Sequence, residues 1–97
     1  MNVNGKIIVV TGAGSGIGRA LVEKFVAEGA RQVVAVDINA GNAQQTAKDY
    51  GCVAMTADVS CDEDIKRVIE ETESDIGPID LFCSNAGVGA GLSEQSP

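Results

Sequence analysis

One stretch constrains this chain more than any other: Lys6-Ile7-Ile8-Val9-Val10-Thr11 running straight into Gly12-Ala13-Gly14-Ser15-Gly16-Ile17-Gly18. The first half is short, β-branched and continuously apolar, which is the pattern of a strand buried on both faces. The second half places glycine at every other position, and from Ile17 the apolar period becomes helical. Ile17, Ala20, Leu21 and Phe25 form the expected inner face, Arg19, Glu23, Lys24 and Glu28 lie mostly opposite, and Gly29 is a natural stop. A strand, a glycine turn and a helix start make an anion site for a definite reason. The first amides of a helix have no intrahelical acceptor, and the helix dipole adds partial positive charge beside them. An anion such as a diphosphate uses both only where the backbone comes very close, and glycine removes the Cβ and admits positive φ.

The same alternation repeats downstream. Gln32–Asp37 reads as a second strand, and Asn39 caps a helix that runs to Tyr50 and closes at Gly51, with Ala40, Ala43 and Ala47 inward. Cys52–Ala57 reads as a third strand. Ser60 and Glu63 have the spacing of a capping box, Asp62, Glu63 and Asp64 suit a helix N-terminus, and Ile65, Val68, Ile69 and Ile76 mark the apolar stripe before Gly77-Pro78. Ile79–Ser84 reads as a fourth strand. Strand and helix in alternation imply parallel pairing through right-handed crossovers.

Composition narrows the function classes. The chain has 97 residues, enough for one domain, and 44% are apolar, so a core without staples is feasible. Aromatics are Phe25, Tyr50 and Phe82 alone, so that core comes from Val, Ile, Leu and Ala. A net charge of −7, with seven basic residues and no His, offers no basic patch for nucleic acid or for an anionic membrane. Cys52, Cys61 and Cys83 are odd in number and lack metal-ligand spacing, which fits reduced structural thiols and no metal. No secretory h-region opens the chain and no apolar run is long enough to span a bilayer, so a cytoplasmic protein, or one of an organelle matrix, is expected.

The glycine spacing discriminates between phosphate and nucleophile motifs. The Gly-x-Gly-x-x-Gly frame fails, because it puts Ile17 or Arg19 at its last position. The P-loop frame lacks its Lys, and Ala13 and Ile17 occupy the glycine offsets of a nucleophile elbow around Ser15. Thr-Gly-x-x-x-Gly-x-Gly fits, at Thr11, Gly12, Gly16 and Gly18. This pattern resembles the short-chain dehydrogenase/reductase family in its shorter, non-extended branch, since the extended branch would have Gly at position 15. The resemblance spans Gly5 to about Gly91. It implies an α/β fold: a Rossmann-type doubly wound parallel sheet, here four strands in the order 3-2-1-4 with three helices.

The resemblance also implies a set of cofactor contacts. Gly12, Ser15, Gly16, Ile17 and Gly18 would border the diphosphate. Asp37 would accept hydrogen bonds from the adenosine ribose hydroxyls and repel a 2′-phosphate. Ser15 and Ile38 are neutral where the family often carries a positive charge for that phosphate, so NAD is expected in preference to NADP. Asp58 and Val59 would lie against the adenine, with Asp58 near its exocyclic amine. Asn85-Ala86-Gly87 resembles the family's Asn-Ala-Gly signature, with Ser84 where Asn is more usual, and would shape the loop beside a ribose. Plain structural readings stand beside these: Asp37 as a turn or cap residue, Asp58 as a turn residue, and Asn85 as a tie between neighbouring strand ends.

The chemistry of the family rests on a Tyr, a Lys four residues later, a Ser and an upstream Asn. None can be assigned: the single Tyr is Tyr50, and Ala54 stands four residues on. The expectation is therefore an NAD-dependent oxidoreductase of an alcohol or carbonyl substrate, homo-oligomeric when complete. Residues 1–97 would supply the N-terminal portion of its NAD(P)-binding Rossmann domain, truncated before the catalytic segment. The alternatives are a non-catalytic NAD-binding regulatory or scaffold protein, and a glycine-rich fragment with no ligand. A sheet that ends on Leu81-Phe82-Cys83 leaves an apolar edge, so the 97-residue chain is predicted to be marginally stable, to self-associate or to need a partner chain. Size-exclusion chromatography giving a stable monomer with a cooperative melt would contradict that.

Overall fold

The computed structural model describes residues 2–85. Its elements run β1 (Ile7–Thr11), α1 (Gly16–Ala27), β2 (Gln32–Asp37), α2 (Ala40–Tyr50), β3 (Val53–Thr56), α3 (Asp62–Asp75) and β4 (Leu81–Ser84). The strands form one parallel sheet in the order β3-β2-β1-β4, as expected from the alternation. Every residue of β1 is buried, because it lies between two strands and under two helical layers. Side chains alternate across the sheet. Ile8, Val10, Val33 and Ala35 point to one face and pack with Val22 and Phe25 of α1, with Tyr50 of α2 at the margin. Val9, Val34 and Val36 point to the other face and pack with Val68 of α3. Helices thus cover both faces, which makes the sheet doubly wound.

The register matters for the site. Thr11 is level with Val36 on one side and with Ser84 on the other, and Asp37 is level with Thr56. All four strands therefore end along one edge. The segments that follow them (Gly12 to Ser15, Ile38-Asn39, Ala57 to Ser60, and Asn85) emerge together there.

Local signals account for most boundaries. Asn39 caps α2 through its side chain, which accepts from the Asn42 amide at 2.9 Å, and Gly51 closes the helix in the left-handed region at φ 69°. Four expectations need correction. Ile17 and Ala20 face outward; the buried residues of α1 are Gly18, Val22 and Phe25, because Gly18 lies against the β1 end and sets the helix rotation. Ala40 is exposed and Thr46 is buried, so the inner face of α2 is Ala43, Thr46 and Ala47. Ser60 and Glu63 form no capping box. The N-cap of α3 is Cys61, with no side-chain cap; Ser60 Oγ donates to Asp58 Oδ1 at 2.6 Å, and Asp64 Oδ2 is the carboxylate that accepts the Asp58 amide, at 2.9 Å. The strands are also shorter than their apolar runs, since Lys6, Cys52, Ala57 and Ile79-Asp80 fall outside pairing.

Burial pushes the thiols of Cys52 and Cys83 above the ordinary cysteine value, and all three cysteines are free, which suits packing rather than reactivity. Val22 is fully buried between α1 and the sheet. Val22→Ala is expected to cost about 2 kcal/mol, read as a lower urea midpoint at unchanged slope.

Candidate functional site

The turn between β1 and α1 is built on two glycines with positive φ, Gly12 at 67° and Gly16 at 58°, a region that costs other residues roughly 1–2 kcal/mol. Gly18 is required for a different reason. A Cβ there would sit 1.9 Å from the Gly12 carbonyl oxygen and 2.6 Å from its carbon, so the helix start rests directly on the strand's last turn. Gly14, a free position in the motif, is also confined. Its Cβ would meet Asn42 Cβ at 2.5 Å and Asp37 Oδ2 at 2.8 Å.

The α1 N-terminus points out of this turn. Ser15 is the N-cap, extended and exposed, and gives no side-chain cap; the first turn contains no acidic residue. The first backbone bond of the helix is Arg19 N–H to Ser15 O, so the amides of Gly16, Ile17 and Gly18 precede the ladder. No side-chain carboxylate of that first turn neutralises the helix end.

Asp37 stands at this turn. Its Oδ2 accepts the Gly14 amide at 2.9 Å and its Oδ1 accepts the Asn39 amide at 2.9 Å. The sequence separated Asp37 from the glycines by about twenty residues; the parallel register puts it in contact with them. The residue is part exposed, not sealed in the core. Ile38 beside it is 67% exposed and Ile17 is 60% exposed, and these are the two large hydrophobic residues left in water among the described residues. Both flank the turn.

The neighbouring strand ends complete the edge. Ala57 donates its amide to Asp37 O at 3.1 Å, which draws Asp58 and Val59 alongside. Asp58 Oδ1 accepts from both the amide and the hydroxyl of Ser60, and these bonds hold its carboxyl below the ordinary carboxylate value. Val59 is half-buried. On the other side Thr11 Oγ1 donates to Cys83 O at 3.4 Å and accepts the Asn85 amide at 3.0 Å, tying β1 to the end of β4. The side-chain nitrogen of Asn85 is buried and has no hydrogen-bond partner among the described residues. Ala86 and Gly87, also expected to contribute, lie outside the described residues.

Sequence reasoning missed four participants. Gly14 was hidden because the motif leaves its position open. Asn42 signals nothing until α2 is laid against the turn. Thr46 donates to Ala13 O at 3.0 Å and accepts from Arg19 Nη1 at 3.0 Å. Arg19, assigned to a solvated face, also pairs with Asp49 and lies 5.0 Å from the centre of the Tyr50 ring. The pairing holds the Asp49 carboxyl below its ordinary value, with help from Gln45. The spacing Ala43, Thr46, Ala47 (i, i+3, i+4) was the available sign that Thr46 faces inward. Tyr50, under Arg19, belongs to this packing.

Comparison with known proteins agrees with the geometry. The family model described as short chain dehydrogenase matches residues 6–96. A (+)-cis,trans-nepetalactol synthase of Nepeta racemosa is 40% identical over 88 residues, covering 89% of this chain and 32% of that protein. A 2,5-dichloro-2,5-cyclohexadiene-1,4-diol dehydrogenase of Sphingobium indicum is 41% identical over 100 residues, covering 98% of this chain and 40% of the other. A solved structure described as ribose-5-phosphate isomerase from Brucella melitensis 16M superposes with a TM-score of 0.81 at 35% identity, covering 86% of this chain and 32% of that one. The chain thus spans about a third of the length of these relatives.

Gly18→Ala is expected to cost about 3 kcal/mol or more, because the obstruction is backbone and cannot rotate away. Gly14→Ala, obstructed by side chains, is expected to cost about half as much. Equal melting temperatures for the two variants would contradict this ordering.

Proposed function

Because this chain belongs to the short-chain dehydrogenase family, whose members use NAD or NADP with a small substrate, we propose that its β1–α1 turn and Asp37 bind NAD. The chain then forms the cofactor-holding part of an oxidoreductase of alcohols or carbonyls. The observation that carries this reading is the carboxylate of Asp37 bonded to the Gly14 amide inside the glycine turn.

The residues present fit the group. The Gly16, Ile17 and Gly18 amides are placed to donate to a diphosphate, with no acidic side chain in the first turn to oppose it. Each oxygen of Asp37 has one protein donor, and a carboxylate offers about four lone-pair sites, so both retain capacity for ribose hydroxyls. A 2′-phosphate would meet the same negative charge with no cation supplied by Ser15 or Ile38. Ile17 and Ile38 gain cover from the flat rings of the ligand, Asp58 and Val59 border the adenine end, and the Asn85 amide nitrogen gains an acceptor on the ribose side. Gly12 allows close approach of backbone to cofactor. The nicotinamide, when bound, supplies the hydride carrier. Tyr50, the single tyrosine of residues 1–97, packs under Arg19, away from the glycine turn's role in holding the cofactor.

Titration of NADH fluorescence tests this. NADH is expected to bind at least about tenfold more tightly than NADPH, as one unpaired charge repulsion of about 1.4 kcal/mol requires. Asp37→Ser is expected to weaken NADH and to narrow that gap. Equal affinity of the parent chain for the two nucleotides overturns the preference, and no binding of either overturns the site.

A further inference from the structure

The Ala13–Gly14 peptide is held at both of its polar ends. Its carbonyl accepts from Thr46 Oγ1 at 3.0 Å, and its N–H donates to Asp37 Oδ2 at 2.9 Å. A peptide unit is planar and rigid, so two anchors on opposite edges fix its rotation. The preceding amide, Ala13 N–H, donates to Val36 O at 2.9 Å. Gly12 and Gly16, on either side of this peptide, have positive φ and no side chain. Without the anchors the turn would sample many conformers.

We infer that Thr46 and Arg19 are positioning residues for this turn: hydrogen bonds from Asp49 through Arg19 and Thr46 to the Ala13 carbonyl set the Ala13–Gly14 peptide, and so set how well the turn grips a diphosphate. The inference rests on the dinucleotide reading above and deepens it, by giving α2 a part in an affinity that the helix end of α1 delivers. Thr46 is fully buried, so its hydroxyl requires partners at both its donor and its acceptor side, and it has them in Ala13 and Arg19. Arg19 is itself held in place, with one nitrogen on Thr46, another on Asp49, and its guanidinium over Tyr50. The chain of bonds begins at an ion pair and ends at a neutral carbonyl, so each link polarises the next. Arg19 follows directly on the helix N-terminus, yet it is bonded to α2 and spends its charge on the scaffold.

A purely structural tie between α1 and α2 would make a different prediction, and the experiment separates the two. The whole chain is compared with Thr46→Val, Thr46→Ser and Asp49→Asn. Amide hydrogen exchange is followed at residues 13–16 and in β2, and calorimetry measures ADP and adenosine. Thr46→Val is expected to speed exchange in the turn about tenfold while β2 keeps its protection. It is expected to weaken ADP about fivefold, the size of one hydrogen bond, and adenosine by less than about twofold. Thr46→Ser restores both readings, and Asp49→Asn moves both in the direction of Thr46→Val by a smaller factor. Faster exchange everywhere, or an unchanged ratio of ADP to adenosine affinity, overturns the inference. If Thr46→Val does not fold, Asp49→Asn decides, and parent-like exchange at residues 13–16 in that variant overturns it. A parent chain that binds neither ADP nor NADH overturns the dinucleotide reading and the ligand half of this inference, and the exchange arm then decides the peptide-holding half by itself.

Discussion

The contact between Gly18 and the backbone of Gly12 governs the geometry of everything around it. With only 1.9 Å between a would-be Cβ and the Gly12 carbonyl oxygen, α1 begins on the last turn of β1 and not one residue's width away. That closeness aims the free amides of Gly16, Ile17 and Gly18 out of the sheet's carboxyl edge. It also rotates α1 so that Val22 and Phe25 enter the core while Ile17 is left in water. The exposed isoleucine and the close-packed glycine are thus two consequences of one steric fact.

A second constraint is the parallel register. Because Thr11, Val36 and Ser84 are level, four loops leave the sheet along a single edge, and Asp37 arrives beside Gly14. The carboxylate serves two purposes there. It finishes the turn by accepting one amide and starts the α2 segment by accepting another, and it still presents negative charge to whatever lies above the turn. A charge held by two backbone donors has little freedom to move aside. On the proposed dinucleotide reading, a preference for a ribose hydroxyl over a phosphate would rest on that rigidity.

The fold was largely legible in the residues. Alternating strand and helix patterns gave the parallel sheet and its order, Asn39 and Gly51 marked both ends of α2, and Gln32–Asp37 coincided with β2. The misreadings have separate causes. Ala20 and Ala40 look inward by composition, yet alanine is small enough to sit on either face, and neighbouring elements decided against both. Ser60 has the right spacing for a cap, but Asp58 two residues earlier competes for its hydroxyl. At the site, Thr11, the spaced glycines and Asp37 stood out from the sequence. Thr46 and Arg19 did not, because a polar residue on a helix reads as solvated until its partner 33 or 30 residues away is known.

Short-range chemistry was enough to tell that a glycine turn joins a buried strand to a helix, since both the chain reversal and the apolar period are properties of neighbouring residues. It was also enough to identify an acid at the end of β2, because strand ends announce themselves by where the apolar run stops. That this acid bonds to Gly14, that a side chain at Gly14 would crowd Asn42 and Asp37, and that α2 reaches across to the Ala13 carbonyl were decided only when the elements packed. Those contacts join residues 23 and 33 positions apart, and no local pattern encodes which of several exposed polar groups will meet once the sheet has closed its register.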